Sequence, residues 1–330
     1  MLSLTPLTFS PVFKDYIWGG RNLERVLGCE LPPGIIAESW EIAAHPDGDA
    51  VVDSGIFAGL RLTEVHARLG LDLIGRTNAW AQKRGKFPLL VKLLDANRPL
   101  SVQVHPDDDY ARAHEKNELG KAEMWVVLDA EPGAELILGV RRGTTPEMFR
   151  QAIADGKLEP YLHHLPIQTG DVICVPARTL HAILGGVVIA EIQQNSNTTY
   201  RVYDWNRPGA DGRPRPLHIE KALDVIDFNR VEPGTLTPEL LSDENGIRRE
   251  RLCSNRYFTT ERFHIAAGAV YRGRCDGETL EIWGTISGNA EINGVELPAV
   301  RFTLLPAALG AFTLRVREDT VLLRTYVESN

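Results

Sequence analysis

The chain has 330 residues, with 36 Lys and Arg against 44 Asp and Glu, and a formal net charge of −8. This acidic balance argues against wholesale binding of nucleic acid or of an anionic membrane. No apolar run approaches the roughly 20 residues that are needed to span a bilayer. The N-terminus has no basic segment followed by a long apolar core, so the sequence predicts a protein without a leader, located in the cytoplasm.

Helical patterns are few and strand patterns are many. The sequence predicts a helix over residues 60–84, a second helix after Thr145, where Pro146 suits the first turn, and a third from His218 to about Phe228. The β-rich segments between them are 87–94, 100–105, 123–128, 135–139, 171–176 and 187–194. The chain is therefore predicted to be mainly β, with helical insertions.

A polar, loop-rich stretch from about residue 232 to 250 predicts a link between two domains. Strands resume after it, and Leu304-Leu305-Pro306-Ala307 resembles Cys174-Val175-Pro176-Ala177 at the end of a similar strand. The sequence thus predicts a catalytic domain over residues 1–235 and a degenerate copy over residues 236–330. The copy has His264 as its only histidine, so we expect it to be structural, covering an edge or mouth of the first barrel.

The four cysteines are far apart and form no Cys-x-x-Cys pair; they are Cys29, Cys174, Cys253 and Cys275. Cys174 lies in an apolar run, which predicts a buried free thiol. This use of cysteine indicates a reducing compartment rather than a disulfide framework.

Three polar side chains in strand-like segments indicate a metal site. His105 follows Gln103 by two residues, so both side chains leave the same face of a strand. Glu123 opens another apolar strand, and His181 follows a strand and a turn. Two imidazoles and a carboxylate from separate strands are the ligands of a catalytic zinc site that keeps one position open. The alternative is that each is an ordinary polar strand residue.

Longer motifs carry a family resemblance. Gly170-x5-Pro176-x4-His181 resembles the second motif of the cupins. Several segments resemble type I mannose-6-phosphate isomerases of the shorter bacterial branch: 87–94, 99–106, 121–125, 177–183 and 191–205. The resemblance implies two cupin-type jelly-roll barrels and one Zn²⁺ per chain. The implied ligands are His105, Glu123 and His181, with Gln103 as a fourth ligand or as a hydrogen-bonding partner of the ligands.

The resemblance also implies a reaction, the interconversion of mannose 6-phosphate and fructose 6-phosphate through a cis-enediol. Glu191 and Lys92 match proton-transfer and active-site positions of the family, and Arg201 matches its active-site arginine. Ser101 and Lys121 are the expected phosphate anchors, with Arg98 and Arg141 as weaker candidates. The partner would be a small sugar phosphate, with no nucleic acid or membrane, and the chain would be a monomer or a weak homo-oligomer.

Two other functions fit the same fold class. One is a non-catalytic cupin that binds a phosphosugar and regulates a partner. The other is a metal-dependent cupin epimerase or dioxygenase. The sequence also departs from the family at Arg178, which stands where glycine is preferred in the turn before His181. If that turn needs a positive φ, arginine costs about 1 kcal/mol or more in backbone strain.

Overall fold

The computed structural model describes residues 4–209 and 211–328 and consists mainly of antiparallel β-strands, as predicted. The strands up to residue 203 are β1 Phe9–Ser10, β2 Val12–Lys14, β3 Glu38–Ile42, β4 Ala44–His45, β5 Gly48–Asp49, β6 Val51–Val52, β7 Leu89–Ala96, β8 Val102–Val104, β9 Glu123–Ala130, β10 Glu135–Val140, β11 Leu162–Pro166, β12 Val172–Val175, β13 His181–Ile183, β14 Val187–Gln194 and β15 Tyr200–Tyr203. The later strands are β16 Glu239–Glu244, β17 Ile247–Ser254, β18 Thr259–Ile265, β19 Val270–Cys275, β20 Glu281–Ser287, β21 Asn289–Ile292, β22 Val295–Pro298, β23 Phe302–Leu305, β24 Gly310–Val316 and β25 Thr320–Tyr326.

The helices are short and fall between the strands. They are α1 Asn22–Leu27, α2 Leu62–Leu69, α3 Leu71–Ile74, α4 Ala79–Arg84, α5 Asp108–His114, α6 Pro146–Ala154 and α7 Ile219–Val225. The prediction of one continuous helix over residues 60–84 was wrong, because the segment forms three short helices. Gly70 at φ 53° and Gly75 at φ 86° lie in conformations that leave the right-handed helix, so the segment breaks into α2, α3 and α4.

The helix after Thr145 is confirmed as α6. The Thr145 hydroxyl caps it by accepting a hydrogen bond of 3.2 Å from the Met148 N–H, and Pro146 occupies the first turn. Phe149 is buried on its inner face, whereas Met148 is exposed. The third predicted helix is confirmed as α7, which ends at Val225, three residues earlier than predicted.

The chain forms two compact units, each discontinuous in sequence. The described residues of the first unit are 4–12, 40–92 and 237–328, and the second unit comprises 13–39 and 93–236. The units therefore change at residues 236–237, while 4–12 and 40–92 group with the C-terminal segment. The predicted domain ranges 1–235 and 236–330 remain a prediction.

Two sheets form the body of the second unit. One has the strand order β11-β10-β13-β8-β15, and the other has the order β12-β9-β14-β7-β3-β2. Only some residues of β7, β3 and β2 belong to the second unit. A core that includes Trp125, Leu136, Leu138, Ile173 and Ile189 is buried here. Because side chains alternate along a strand, the same inward faces that supply this core also supply the polar residues of the site.

The C-terminal part of the first unit also contains two antiparallel sheets, ordered β16-β17-β18-β25-β20-β23 and β19-β24-β21-β22. Its core includes Phe263, Trp283, Phe312 and Leu322. Asn293 and Gly294, at φ 49° and 84°, form the tight turn between β21 and β22, as the Asn-Gly pair suggests.

The cysteines differ from expectation. Cys29 and Cys275 are free thiols. Cys174 and Cys253 are disulfide-bonded, so the prediction of a free thiol at Cys174 was wrong. Spacing along the chain does not reveal which cysteines a fold places in bonding geometry. None of the helices in the described part of the chain is both long and apolar enough to cross a membrane.

Candidate metal centre

Strand pairing in the second unit brings distant polar residues to common faces. On β8, Gln103 lies opposite His181 of β13 and also opposite Arg201 of β15. On β9, Glu123 lies opposite Gln193 of β14. Directly opposed residues of an antiparallel pair have their side chains on the same face of the sheet. Each sheet therefore gathers part of the site from segments far apart in sequence.

The predicted ligands meet. His105, Glu123 and His181 each offer one donor atom, and these atoms lie within 4.8 Å of one another; we call them the metal cluster. The His105 Nε2 atom is 3.3 Å from Glu123 Oε1, and the His181 Nε2 atom is 3.8 Å from Glu123 Oε2. All three side chains are about 1% exposed. In the described part of the chain no other His/Cys/Asp/Glu cluster has metal-binding spacing.

Backbone carbonyls orient both imidazoles. His105 Nδ1 lies 2.7 Å from the Thr198 carbonyl, and His181 Nδ1 lies 2.9 Å from the Thr179 carbonyl. Because a carbonyl only accepts, each Nδ1 carries the hydrogen and each Nε2 presents a lone pair to the cluster. Burial lowers the pKa of His181 to about 4, against a raising effect of its bond to Thr179, so the ring is neutral.

The donor set fits a divalent ion. Apart from its ion pair with Lys121, neither carboxylate oxygen of Glu123 has a hydrogen-bond partner among residues 4–209 and 211–328. The Lys121 ammonium compensates the charge at Oε1, and Oε2 is the oxygen left available to a metal ion. Two neutral imidazole nitrogens and such a carboxylate match the three-protein-ligand arrangement of catalytic zinc sites.

Gln103 lies beside the cluster. Its Nε2 atom is 3.3 Å from His181 Nε2, and its Oε1 accepts a hydrogen bond of 3.1 Å from the Ser101 hydroxyl. In this orientation the amide presents nitrogen, not oxygen, to the cluster. Direct coordination through Oε1 would require the amide to rotate, and it remains a prediction.

Lys121 lies within the cluster rather than at its edge. Its ammonium contacts the Glu123 carboxylate, is 3.1 Å from His105 Nε2 and is 3.5 Å from Glu191 Oε1. Glu191 is 2% exposed and lies opposite Trp125 in the strand pair β14–β9. The structure thus brings one ammonium and two buried carboxylates together with the imidazoles, a set of groups that can hold and move protons.

Arg201 connects to the cluster through a chain of hydrogen bonds. Its Nε donates to the Ser101 hydroxyl over 3.2 Å, and Ser101 in turn donates to Gln103. A terminal nitrogen of the guanidinium donates to the Pro216 carbonyl over 3.1 Å. Burial and the nearby Arg215 lower the pKa of Arg201. Arginine nevertheless stays protonated under ordinary conditions, so it supplies a fixed positive charge.

The remaining predicted lysine, Lys92, belongs to the first unit. It is 4% exposed, and its ammonium lies 5.9 Å from the centroid of the Trp40 ring. Its role remains a prediction. Of the weaker anchor candidates, Arg141 donates to the Leu162 carbonyl over 3.1 Å.

The turn before His181 has a positive φ at Arg178. Arg178 has φ 73°, in the left-handed region that favours glycine. Its Nε donates to the Val225 carbonyl over 3.0 Å, and its NH1 is 3.4 Å from Asp107 Oδ2. Its backbone N–H also donates to the His105 carbonyl over 2.8 Å. These contacts hold the strained residue, and the neighbouring His181 still reaches the cluster.

Comparison with known proteins decides the family. The model for the phosphomannose isomerase type I catalytic domain matches residues 7–130. A probable mannose-6-phosphate isomerase of Bacillus subtilis (strain 168) is 40% identical over 314 residues, which cover 94% of this chain and 96% of that protein. The chain belongs to the type I phosphomannose isomerase family.

Solved structures of this family agree with the fold. The crystal structure of the mannose 6-phosphate isomerase from Bacillus subtilis aligns with a TM-score of 0.87 at 32% identity, covering 98% of this chain and all of that one. A zinc-bound mannose 6-phosphate isomerase aligns with a TM-score of 0.76 at 16% identity over 98% of this chain, and so shares the fold. The match confirms the fold class predicted for this chain, the cupin-type jelly roll of the phosphomannose isomerases.

Sequence reasoning missed a group of charged residues after Arg201. Asp204 accepts hydrogen bonds from Arg207, at 2.9 Å, and from Arg215, at 2.6 Å. His218 Nδ1 accepts a hydrogen bond of 3.2 Å from the Arg201 N–H. Arg201, Arg207 and Arg215 against one aspartate leave this part of the chain positively charged. The arginine-rich sequence from 201 to 215 was the available signal.

Proposed function

We propose that the chain is a zinc-dependent isomerase that interconverts mannose 6-phosphate and fructose 6-phosphate. The observation that carries this proposal is the buried metal cluster with Lys121 and Glu191 beside it. Aldose–ketose isomerisation needs a proton-transfer group near carbon and a positive environment for the developing enediolate. Both are present on the inward faces of one unit.

His105, Glu123 and His181 would hold the zinc ion, one per chain, with Gln103 as fourth ligand or as a hydrogen-bond partner. Bound there, zinc would supply electrophilic stabilisation for the substrate oxygens. The neutral imidazoles and the lone pairs at Nε2 support this assignment. Other divalent ions prefer overlapping ligand sets, so metal identity is part of the test.

Glu191 would move the proton between C1 and C2 of the sugar, since it is a buried carboxylate within 3.5 Å of an ammonium. Lys92 would assist proton transfer or bind substrate oxygens. Arg201 would stabilise enediolate charge, because its fixed positive charge suits an oxyanion rather than a base. A Glu191→Gln variant that kept its metal and near-normal turnover would remove Glu191 from this role.

Ser101 and Lys121 remain our proposed contacts to the substrate phosphate. The positive group formed by Arg201, Arg207 and Arg215 supports an anionic substrate in this part of the fold. We also propose that every metal ligand precedes residue 236, because the sole cluster of metal-binding spacing found in the described residues does so. Residues 236–330 would then be structural.

A cytoplasmic monomer or weak homo-oligomer is the remaining part of the proposal. A soluble sugar phosphate as substrate supports the cytoplasmic location. The disulfide-bonded state of Cys174 and Cys253 argues against using the cysteines as support for a reducing compartment.

A coupled assay of mannose 6-phosphate conversion, before and after chelation and zinc add-back, tests the proposal. We expect activity to disappear with the metal and to return with zinc. Binding of the sugar phosphate without turnover by the fully metallated protein would instead favour the non-catalytic phosphosugar-binding alternative. The absence of any binding would show that the substrate is a different one.

A further inference from the structure

The short segment before β9 carries Lys121 and is held on both sides. The Gly120 N–H donates to Asp108 Oδ1 over 2.8 Å, and the Ala122 N–H donates to Gln194 Oε1 over 3.0 Å. The Gln194 N–H donates back to the Ala122 carbonyl over 3.1 Å. The backbone of the residues flanking Lys121 is therefore fixed by two side chains from elsewhere in the chain.

Those two side chains are bonded to each other. Gln194 Nε2 donates to Asp108 Oδ1 over 3.0 Å, so one carboxylate oxygen accepts from both Gln194 and Gly120. Gln194 is 1% exposed, and Asp108 is partly buried at the start of α5. The residues are 86 positions apart in sequence. The bridge thus joins the end of β14, the start of α5 and the beginning of β9.

The chemistry of the bridge requires an amide. Gln194 accepts from a backbone N–H with its oxygen and donates to a carboxylate with its nitrogen, and only an amide side chain of this length does both. A glutamate would keep the first bond but would face Asp108 with like charge. An apolar residue would leave the Ala122 N–H without its acceptor in a buried place.

We propose that Gln194, acting with Asp108, is a positioning residue that fixes Lys121 and Glu123 against the metal cluster. Lys121 is flanked by the two bridged amides, and Glu123 follows Ala122 directly. A displacement of about 1 Å at such a position can cost on the order of 100-fold in turnover. The kinetic part rests on the proposed isomerase function, whereas the metal-binding part does not.

The test compares metal-loaded wild type with Gln194→Glu, Asp108→Asn and the double variant. We expect Gln194→Glu to lower kcat about 10- to 100-fold and to weaken metal binding about 10-fold, as loss of a ligand-orienting contact does. Asp108→Asn keeps an oxygen for Gly120 and should change little. In the double variant the side chain at position 108 is uncharged, so the like charges no longer face each other, and its amide oxygen still accepts from the Gly120 N–H. We expect part of both losses to recover in that variant.

Gln151→Glu is the matched control. Gln151 donates to Asp155 Oδ1 over 2.8 Å in the same amide–carboxylate arrangement, but on an exposed helix surface. We expect it to leave kcat and the metal dissociation constant unchanged. The dissociation constant is measured by competition with a chelator, and kcat and KM by the coupled assay.

Unchanged kcat and metal affinity in Gln194→Glu, with only a lower unfolding midpoint, would overturn the proposal, as would a double variant that recovers nothing. If Gln194→Glu does not fold, Asp108→Ala removes the shared acceptor from the less buried side, and full metal affinity in that variant would equally overturn it. If wild type binds metal but has no isomerase activity, the proposed isomerase function is wrong. The metal dissociation constants of the variants still decide whether Gln194 is a positioning residue.

Discussion

Two regions of the molecule bury carboxylates inside antiparallel sheets, and the partners of those carboxylates differ. In the second unit, Glu123 contacts one ammonium, that of Lys121, and faces the imidazoles of His105 and His181. In the first unit, Glu281 accepts hydrogen bonds from Arg324, at 2.5 and 3.0 Å, and one of 2.7 Å from the Trp283 N–H. One region pairs its carboxylate with a single lysine and leaves imidazole nitrogens and a carboxylate oxygen beside it, whereas the other saturates its carboxylates with arginine.

The pairing of glutamates with arginines in the first unit extends over neighbouring strands of one sheet. Glu261 on β18 accepts hydrogen bonds from Arg249, at 3.0 Å, and from Tyr326, at 3.1 Å. Burial alone would lower the pKa of Arg324, but its bonds to Glu281 raise it. Carboxylates saturated by arginine have little affinity left for a metal ion. A shared fold type therefore does not imply a shared site, and the partners of each carboxylate decide which carboxylates stay available to a metal ion.

The largest effect should come from Glu123→Gln, which removes the negative ligand. We expect metal content to fall and isomerase turnover to drop about 1,000-fold or more, since electrophilic stabilisation by a metal is worth several kcal/mol. Metal analysis after dialysis and the coupled assay measure the two effects. Glu261→Gln is the control from the other region and should keep both. Full metal content in Glu123→Gln would show that Glu123 differs from Glu261 in no way that matters for metal binding.

The second effect concerns stability. Glu281→Gln removes the nearer of the two carboxylate partners of Arg324, whose side chain is 16% exposed, and leaves Glu261 Oε2 at 3.5 Å. We expect a loss of about 2 kcal/mol in the free energy of unfolding, since charged hydrogen bonds in a buried place are lost. Metal affinity should not change. Urea denaturation of the metal-loaded protein measures the loss, and adding Arg324→Met should recover part of it. A weaker metal affinity in Glu281→Gln would contradict the independence of the two regions.

The smallest effect should be a pH dependence at His218. Burial, Arg201 and Lys221 lower the pKa of His218 below its ordinary 6.5, against a raising effect of Glu115. Between the folded-state pKa and 6.5 the unfolded chain binds more protons, so stability rises with pH across that window. Below the folded-state pKa, Nδ1 is protonated and no longer accepts from the Arg201 N–H, and kcat/KM should fall a few-fold.

His218→Gln should flatten this acid limb of the kcat/KM profile, because a glutamine oxygen accepts at every pH in the range from about 5 to 8. Lys221→Met keeps the imidazole and removes one of the charges that depress its pKa, so the limb should move to higher pH. If both variants kept the acid limb of the wild type, the titration would belong to another group.

The sequence indicated which polar residues the fold brings together, because their spacing is local to short motifs. Gln103 lies on β8, His105 directly follows that strand, and β9 begins at Glu123 as its pattern indicates. The position of the Lys121 ammonium was not accessible in the same way. A long flexible side chain reaches whatever the strand register brings near it, and that register is a property of the folded sheets.

Other features depended on contacts over long sequence distances. The bridge between Asp108 and Gln194 and the disulfide-bonded state of Cys174 leave no trace in local composition. The two glycines at 70 and 75 are local signals of the helix breaks, whereas the apolar stripe across them favours one continuous helix. Periodicity indicates which residues are buried more reliably than where a helix ends.

Arg178 has a consequence for how such chains are found. Its φ of 73° shows that the turn before His181 is set by backbone torsion, here secured by the Val225 carbonyl and Asp107 instead of by glycine. A search pattern that demands glycine at this position would pass over this chain, whereas one written in torsion angles and hydrogen-bond acceptors would recover it. The replacement also ties the turn to α7 through its side chain, so a substitution at 178 would alter a long-range tether as well as a torsion preference.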